Sequence, residues 1–249
     1  NASLALTDDE QQQGDISEGR VEELIKTISS SIEADKSDFM GAIVAGWADA
    51  GLNPETFWLG YAAGTAAAWN RNSVDAQDLT NRFYNSFYGN KTVHIDRVYQ
   101  LLSNQAEFWD KSWEWELSNW RTPILGNSFG IFDTPKQVKD QTLSSLPVPS
   151  GTDLSLNKDW KSNNKERLQA AEKFLKDNNE LMNLLHENLI NADYHHYNLQ
   201  VLLSVAQLCR QNLNMLLDLQ RINDFLNLAS IAASGNPAVA VSLIDQALD

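Results

Sequence analysis

The chain has 249 residues, 43% of them hydrophobic, and eight tryptophans, which is enough for a real core in one large domain or two small ones. Its 33 Asp and Glu against 19 Lys and Arg leave a formal charge of −14, which argues against nucleic acid and anionic membrane as partners but not against neutral ligands such as sugars. A single cysteine excludes an internal disulfide, the four histidines show no metal-ligand spacing, and no apolar run is long enough to span a bilayer.

Residues 1–19 are a polar, acidic lead-in. Asn1-Ala2 has the look of a cleaved affinity tag, with native sequence expected from about Ser3. From Arg20 to Ala34, Val21, Leu24, Ile25, Ile28 and Ile32 give an amphipathic helix. Met40 to Trp47 (MGAIVAGW) is a short apolar run, and periodicity alone does not separate a buried strand from a buried helix turn. The β-branched Ile43 and Val44 favour a strand covered on both faces. Asn53, Pro54 and Glu55 then read as cap, first helical position and first-turn acid. The helix they start runs to Trp69, with Phe57, Trp58, Tyr61, Ala62, Thr65, Ala66 and Trp69 as its expected apolar stripe and small residues between. Helix, strand, loop and helix in this order suit the end of an alternating α/β chain.

Ser73 is placed to cap a helix over Val74 to Tyr88, with Leu79, Phe83 and Phe87 on one face and Gly89 as its stop. A longer helix is expected from about Thr92 to Ser118. Its end is dense in tryptophan, with Trp109, Trp113 and Trp120 sharing a face and Trp115 off that stripe. Rings interleaved with Asp110, Glu114 and Glu116 are what a sugar site uses, since rings pack on C–H faces and acids take hydroxyls. The same pattern also reads as a helix–helix core with a solvated acidic edge, which leaves Trp115 as the exposed candidate for sugar contact. Arg121 to Thr134 reads as a loop, Thr134-Pro135 as the start of a short helix, and Leu146 to Lys158 as a linker. From Lys161 the pattern is continuous helix, broken at Asn191-Ala192-Asp193, with Asp193 placed to cap the next helix. Gly235-Asn236-Pro237 ends that helix, and Ala238 to Leu248 is a last amphipathic one.

One stretch resembles a known family. Gly41-Ala42-Ile43-Val44, Trp47-Ala48-Asp49 and Ala66-Ala67-Ala68-Trp69 look like the last strand, the Trp-x-acid motif and the final helix of the catalytic barrel in the family 20 glycoside hydrolases, the β-N-acetylhexosaminidases. The resemblance covers Gly41 to Trp69. It implies that Trp47 packs on the apolar face of the sugar beside the cut bond. It also implies that Asp49, where the family usually has Glu, accepts hydrogen bonds from sugar hydroxyls. Barrel enzymes place their sites at the C-terminal ends of strands, where this motif would lie. Read from the residues alone, Trp47 fits a core tryptophan and Asp49 a turn aspartate, since buried aromatics are common in any core, and only the resemblance brings the sugar-holding reading level with that one. The family also uses an adjacent Asp-Glu pair, with the Glu as general acid and the Asp holding the substrate's own acetamido group as nucleophile. No such pair precedes Trp47 in a strand context, since Asp8-Asp9-Glu10 lies in the polar lead-in. The resemblance therefore implies a polypeptide that hydrolyses nothing by itself.

Other chemistry is sparse. Two adjacent histidines, His195 and His196, project about 100° apart on a helix and do not chelate one ion from one face. With His186 they are expected to cap and pack. Cys209 lies in an apolar helical pattern with no basic cluster, as a buried structural thiol does. Asn90-Lys91-Thr92 is a glycosylation triplet that carries weight only in a eukaryotic secreted context.

The expected fold is mainly α, a helical bundle with the last strand-helix unit of an α/β barrel on its N-terminal side. Its parts are residues 20–72 as the barrel end, 73–145 as a helical Trp-rich region, 146–160 as linker and 161–249 as a long-helix bundle. The expected function is that of the C-terminal part of a bacterial-type glycosidase acting on β-linked N-acetylhexosamine sugars, without cofactor or metal. A periplasmic or extracellular location would follow from that resemblance. The bundle would buttress the barrel or mediate homo-oligomerisation. A non-enzymatic helical interaction domain is the rival reading, and a carbohydrate-binding module the third.

Overall fold

The computed structural model describes residues 21–34, 43–44, 53–70, 74–112, 115–117, 121–123 and 160–248. The fold is mainly α. Helices are α1 (Val21–Ala34), α2 (Trp58–Trp69, after a 3₁₀ turn at Pro54–Phe57), α3 (Ala76–Tyr88), α4 (Ile95–Ser112), α5 (Trp160–Asn163), α6 (Lys165–Asn191), α7 (His196–Ala232) and α8 (Pro237–Leu248). Two three-residue strands, β1 (Trp115–Leu117) and β2 (Arg121–Pro123), pair antiparallel with Glu116 opposite Thr122. The chain divides into two compact units. The first takes the residues up to Phe108 together with Lys176–Arg210, and the second takes Trp109–Leu175 with Gln211–Asp249.

The core of the first unit is built from Ile25 and Ile28 of α1, Leu59, Ala63 and Ala67 of α2, Tyr84 and Tyr88 of α3, Leu101 and Leu102 of α4, and Leu181, Leu185, Leu199 and Leu202 of α6 and α7. Each fully buried leucine contributes about 1.5–3 kcal/mol of transfer free energy. In the second unit Leu168, Ala171, Leu213, Leu216, Ala229 and Ala240 are buried.

Helix α2 buries the face opposite to the expected one. Leu59, Gly60, Ala63, Gly64 and Ala67 are inside, whereas Trp58 is 42% and Trp69 89% exposed. The reason is steric. A Cβ added at Gly64 would come within 2.5 Å of Val44 Cγ2 and 3.3 Å of Leu24 Cδ2, so the neighbouring chain approaches more closely than a row of rings permits. Ile43 and Val44, the described part of the expected strand, belong to no helix or strand. The rest of Met40–Trp47 lies outside the described residues.

Other boundaries also move. Helix α3 is capped by Asp75, whose side chain accepts from Asp78 N at 2.7 Å, so Val74 precedes the helix. Helix α4 ends at Ser112, and Trp115 and the start of the expected Arg121–Thr134 loop are in strands. Trp115 and Leu117 alternate with Glu116, a period of two that competes with helical spacing, and Pro123 sits at the end of its strand where no ladder donor is required. Trp113, Trp120, the short helix from Thr134 and the linker Leu146–Lys158 lie outside the described residues. The break between α6 and α7 falls where expected, but α7 begins at His196 and Asp193 does not cap it. Its amide donates instead to Tyr88 O at 2.8 Å and its carboxylate pairs with Lys91.

In α6 and α7 the buried positions recur with a period near 3.5. They include Leu181, Leu185 and Asn188 on one helix and Leu202, Ala206 and Cys209 on the other, the spacing of a coiled-coil seam. The four-residue connection between Asn191 and His196 and the bond from Asn178 Nδ2 to Ala206 O at 2.9 Å pair the helices antiparallel. Ile190, an apolar residue beside the buried Leu185 and Asn188, is 82% exposed because it falls outside this seam.

Candidate functional site

The outward face of α2 carries the most distinctive side-chain arrangement of the first unit. It begins at Asn53, whose Oδ1 accepts from Glu55 N at 3.0 Å and starts the helical turn, with Pro54 in the first position. One turn on, Trp58 Nε1 donates to Glu55 Oε2 at 3.0 Å. The same carboxylate oxygen accepts from Asn198 Nδ2 at 3.1 Å, and this amide also donates to Glu55 O at 2.7 Å. Asn198 is buried, and its Oδ1 accepts from Tyr88 Oη at 2.5 Å. That hydroxyl meets Tyr99 Oη at 2.8 Å. A hydrogen-bond chain therefore runs from α4 through α3 and α7 to the indole of Trp58. It sets the ring's orientation without contact from outside.

Around Trp58 the rings are contiguous. Tyr61 meets it edge-on at 6.1 Å and Phe87 lies 6.1 Å away. Phe87 in turn stacks on the exposed His195 at 3.7 Å, with the planes 6° apart. His195 sits at positive φ (56°) just before α7, and His196, the first residue of that helix, has Nδ1 3.1 Å from Leu189 O. His186 Nδ1 lies 2.7 Å from Met182 O. These histidines cap and pack. Toward the other end of α2, next to Trp69, Asn70 lines an open groove of about 380 Å³. Glu22, Lys26, Ser29 and Glu33 of α1 and Asp75 at the start of α3 supply its polar groups.

Three buried tyrosines and the single cysteine hold their protons more tightly than they would in water. Burial holds the Tyr84, Tyr88 and Tyr99 hydroxyls well above the ordinary tyrosine range, so each stays protonated. Burial likewise pushes the Cys209 thiol up to about 12, away from the thiolate that nucleophilic or metal chemistry requires. Among the described residues no group of three His, Cys, Asp or Glu is placed to hold a metal ion, and no helix is long and apolar enough to cross a membrane.

Of the residues expected from the sequence to contact sugar, Trp47 and Asp49 lie outside the described residues. Trp115 is in β1 of the second unit, not on a helix. Sequence reading placed Trp58 and Trp69 in the core and left Asn198 unremarked. One signal was available: Asn188 and Asn198 stand at the same spacing as the buried leucines around them, so a polar residue on the inward stripe marked a buried partner. No protein family, curated protein or solved structure matches the chain.

Proposed function

We propose that the chain is the C-terminal part of a β-N-acetylhexosaminidase-type glycoside hydrolase, with Trp47 and Asp49 holding the substrate and the catalytic acid pair supplied by other sequence. The reading rests on the resemblance over Gly41 to Trp69, and one packing contact supports it. Val44, from the segment read as the last barrel strand, seats against Gly64 of the helix that follows. Val44 belongs to no strand here, so the contact agrees with a βα unit only in that the segment before the helix lies on its small-residue face, where a glycine lets the two backbones close. The capped start at Asn53 and the helix running to Trp69 agree with the same pattern.

The substrate-holding roles follow from chemistry. An indole face covers the axial C–H groups of a pyranose, and a carboxylate accepts its equatorial hydroxyls. Asp is one methylene shorter than the Glu common at this position. It reaches a hydroxyl either directly at shorter range or through water. The test is hydrolysis of an aryl N-acetyl-β-glucosaminide by a polypeptide that includes the preceding sequence, with this chain as control. Activity in the long form, none in this chain, and a loss of at least about a hundredfold in kcat/KM for Trp47→Ala are expected, since misplacing the reacting sugar costs rates of that order. A long form inactive on aryl glycosides would overturn the assignment.

A second reading, a non-enzymatic helical interaction domain, draws on a different observation. Helix α8 buries Ala240 yet exposes Val241, Ile244 and Leu248, which share one apolar face of the kind that covers a partner. Under that reading the long form hydrolyses no glycoside, and Val44 against Gly64 is ordinary packing.

A further inference from the structure

We propose that the free face of α8 pairs with α8 of a second copy of the chain, antiparallel about a two-fold axis. Local chemistry defines the helix. Asn236 Oδ1 accepts from Val239 N at 3.3 Å, and Pro237 takes the first helical position. Ala240 is buried, with Leu243 and Ala247 half-buried on the same side of the helix. Next to that side stand Pro237, Val241, Ile244 and Leu248, at spacings of four, three and four. All four are exposed, Val241 by 58%, Ile244 by 43% and Leu248 by 81%. Ser242 and Gln246 hold the opposite side, where Gln246 Nε2 donates to Ser242 O at 3.1 Å. The described residues leave this second apolar stripe open, and its spacing is that of one helix of a coiled-coil seam.

Charge, shape and area together select what covers the stripe. From Phe225 to Leu248 the only charged residue is Asp245, in a chain that carries −14 overall. A partner recognised through ion pairs finds almost nothing to pair with here, and an anionic lipid surface finds no Lys or Arg. Two copies of the chain meet at this helix with little like charge between them. Shape favours the copy as well. Antiparallel pairing about a two-fold axis sets Val241 of one copy against Ile244 of the other and Pro237 against Leu248, so the same four residues fill both halves of the seam. On this register Asp245 lies beside the seam and not in it. The stripe exposes on the order of 400 Å² per copy, and two stripes with their rims fall below the ~1,200 Å² under which complexes are weak and reversible. Pairing through α8 supplies the partner that the interaction-domain reading leaves open. It is equally open to a glycosidase subunit, so either assignment of function can fail without it.

The experiment is sedimentation equilibrium of the full 249-residue chain, at loading concentrations from about 1 to about 200 µM. A monomer–dimer equilibrium with a Kd on the order of 10 µM is expected. Val241→Glu and Leu248→Glu should each weaken it at least about tenfold, because each places a carboxylate in both halves of the seam. Ser242→Glu adds the same charge on the opposite side of the helix and should leave the equilibrium unchanged. Leu248 ends the helix at 81% exposure, so its replacement leaves the packing of the single chain intact and decides the matter even if Val241→Glu fails to fold. Added salt should strengthen the dimer, since screening weakens the repulsion between two chains of charge −14 and the seam holds no ion pair. A monomer at every concentration overturns the proposal. So does a dimer that Leu248→Glu leaves intact, that Ser242→Glu disrupts equally, or that salt dissociates.

Discussion

At the scale of single residues, the fold is held at places where one side chain satisfies the backbone of another element. Asn188 is buried, and its amide both accepts from Val93 N and donates to Val93 O, each at 2.8 Å. This closes the backbone just before α4, where His94 stands at positive φ. Gly89 ends α3 at φ 93°, and a Cβ there would lie 2.5 Å from Asp193 Oδ2. Asp193 in turn carries the ion pair to Lys91 and gives its amide to Tyr88 O. Gly89→Ala therefore meets both a disfavoured backbone region and an occupied space. A loss of about 2 kcal/mol is expected, seen as a lower urea midpoint, and an unchanged midpoint would contradict this account. The glycine itself was legible in the sequence as a helix stop. Its partner was not, because nothing local links residue 89 to residue 193.

At the scale of elements, the instructive case is α2. Its boundaries followed from Asn53, Pro54 and Glu55, since capping is local chemistry between residues two or three apart. Its buried face did not follow, because the heavy rings suggested a stripe and the small residues lacked apparent driving force. Packing reversed that choice. Close approach by Val44 and Leu24 at Gly64 favours the small-residue face with many short contacts, which outweighs the area of a tryptophan left outside. Gly64→Val should accordingly destabilise by about 1–3 kcal/mol through overpacking, even though valine has the better helix propensity. Thermal unfolding monitored by circular dichroism measures the effect. A rise in Tm would show that propensity dominates and that α1 and Val44 yield easily. Helix α4 failed differently. Its expected extension past Ser112 rested on rings spaced by four, while the neighbouring Trp115, Glu116 and Leu117 satisfied a strand period as well.

At the scale of the whole molecule, two compact units draw on the same two long helices, α6 and α7. Buried groups that titrate at high pH set one property of the chain. Burial lifts the Cys209 thiol from 9.0 to about 12, and the buried Tyr84 and Tyr88 hydroxyls move upward from 10.0. The native state holds these protons while the unfolded state releases them, so the unfolded state binds fewer protons and stability falls as pH rises. Their contribution is complete below about pH 9 and is lost progressively above it. The urea midpoint should decline from about pH 9 upward to about pH 10.5, and Cys209→Ala should flatten part of that decline. A midpoint constant over this interval would count against deep burial of all three groups.

By itself the sequence determined the helical class, the capped start of α2, the stop at Gly89, the break near residue 192 and the last helix after Pro237. These depend on residues within a turn or two of one another, where spacing and capping chemistry act without the rest of the chain. Only the tertiary structure decided which face of α2 turns inward, what Asp193 does, and that the rings of Trp58 and Trp69 stand outside. It also decided that Glu55, Asn198, Tyr88 and Tyr99 join in one hydrogen-bond chain across four elements. Those outcomes come from competition for space among segments distant in the sequence, and no local pattern records the winner.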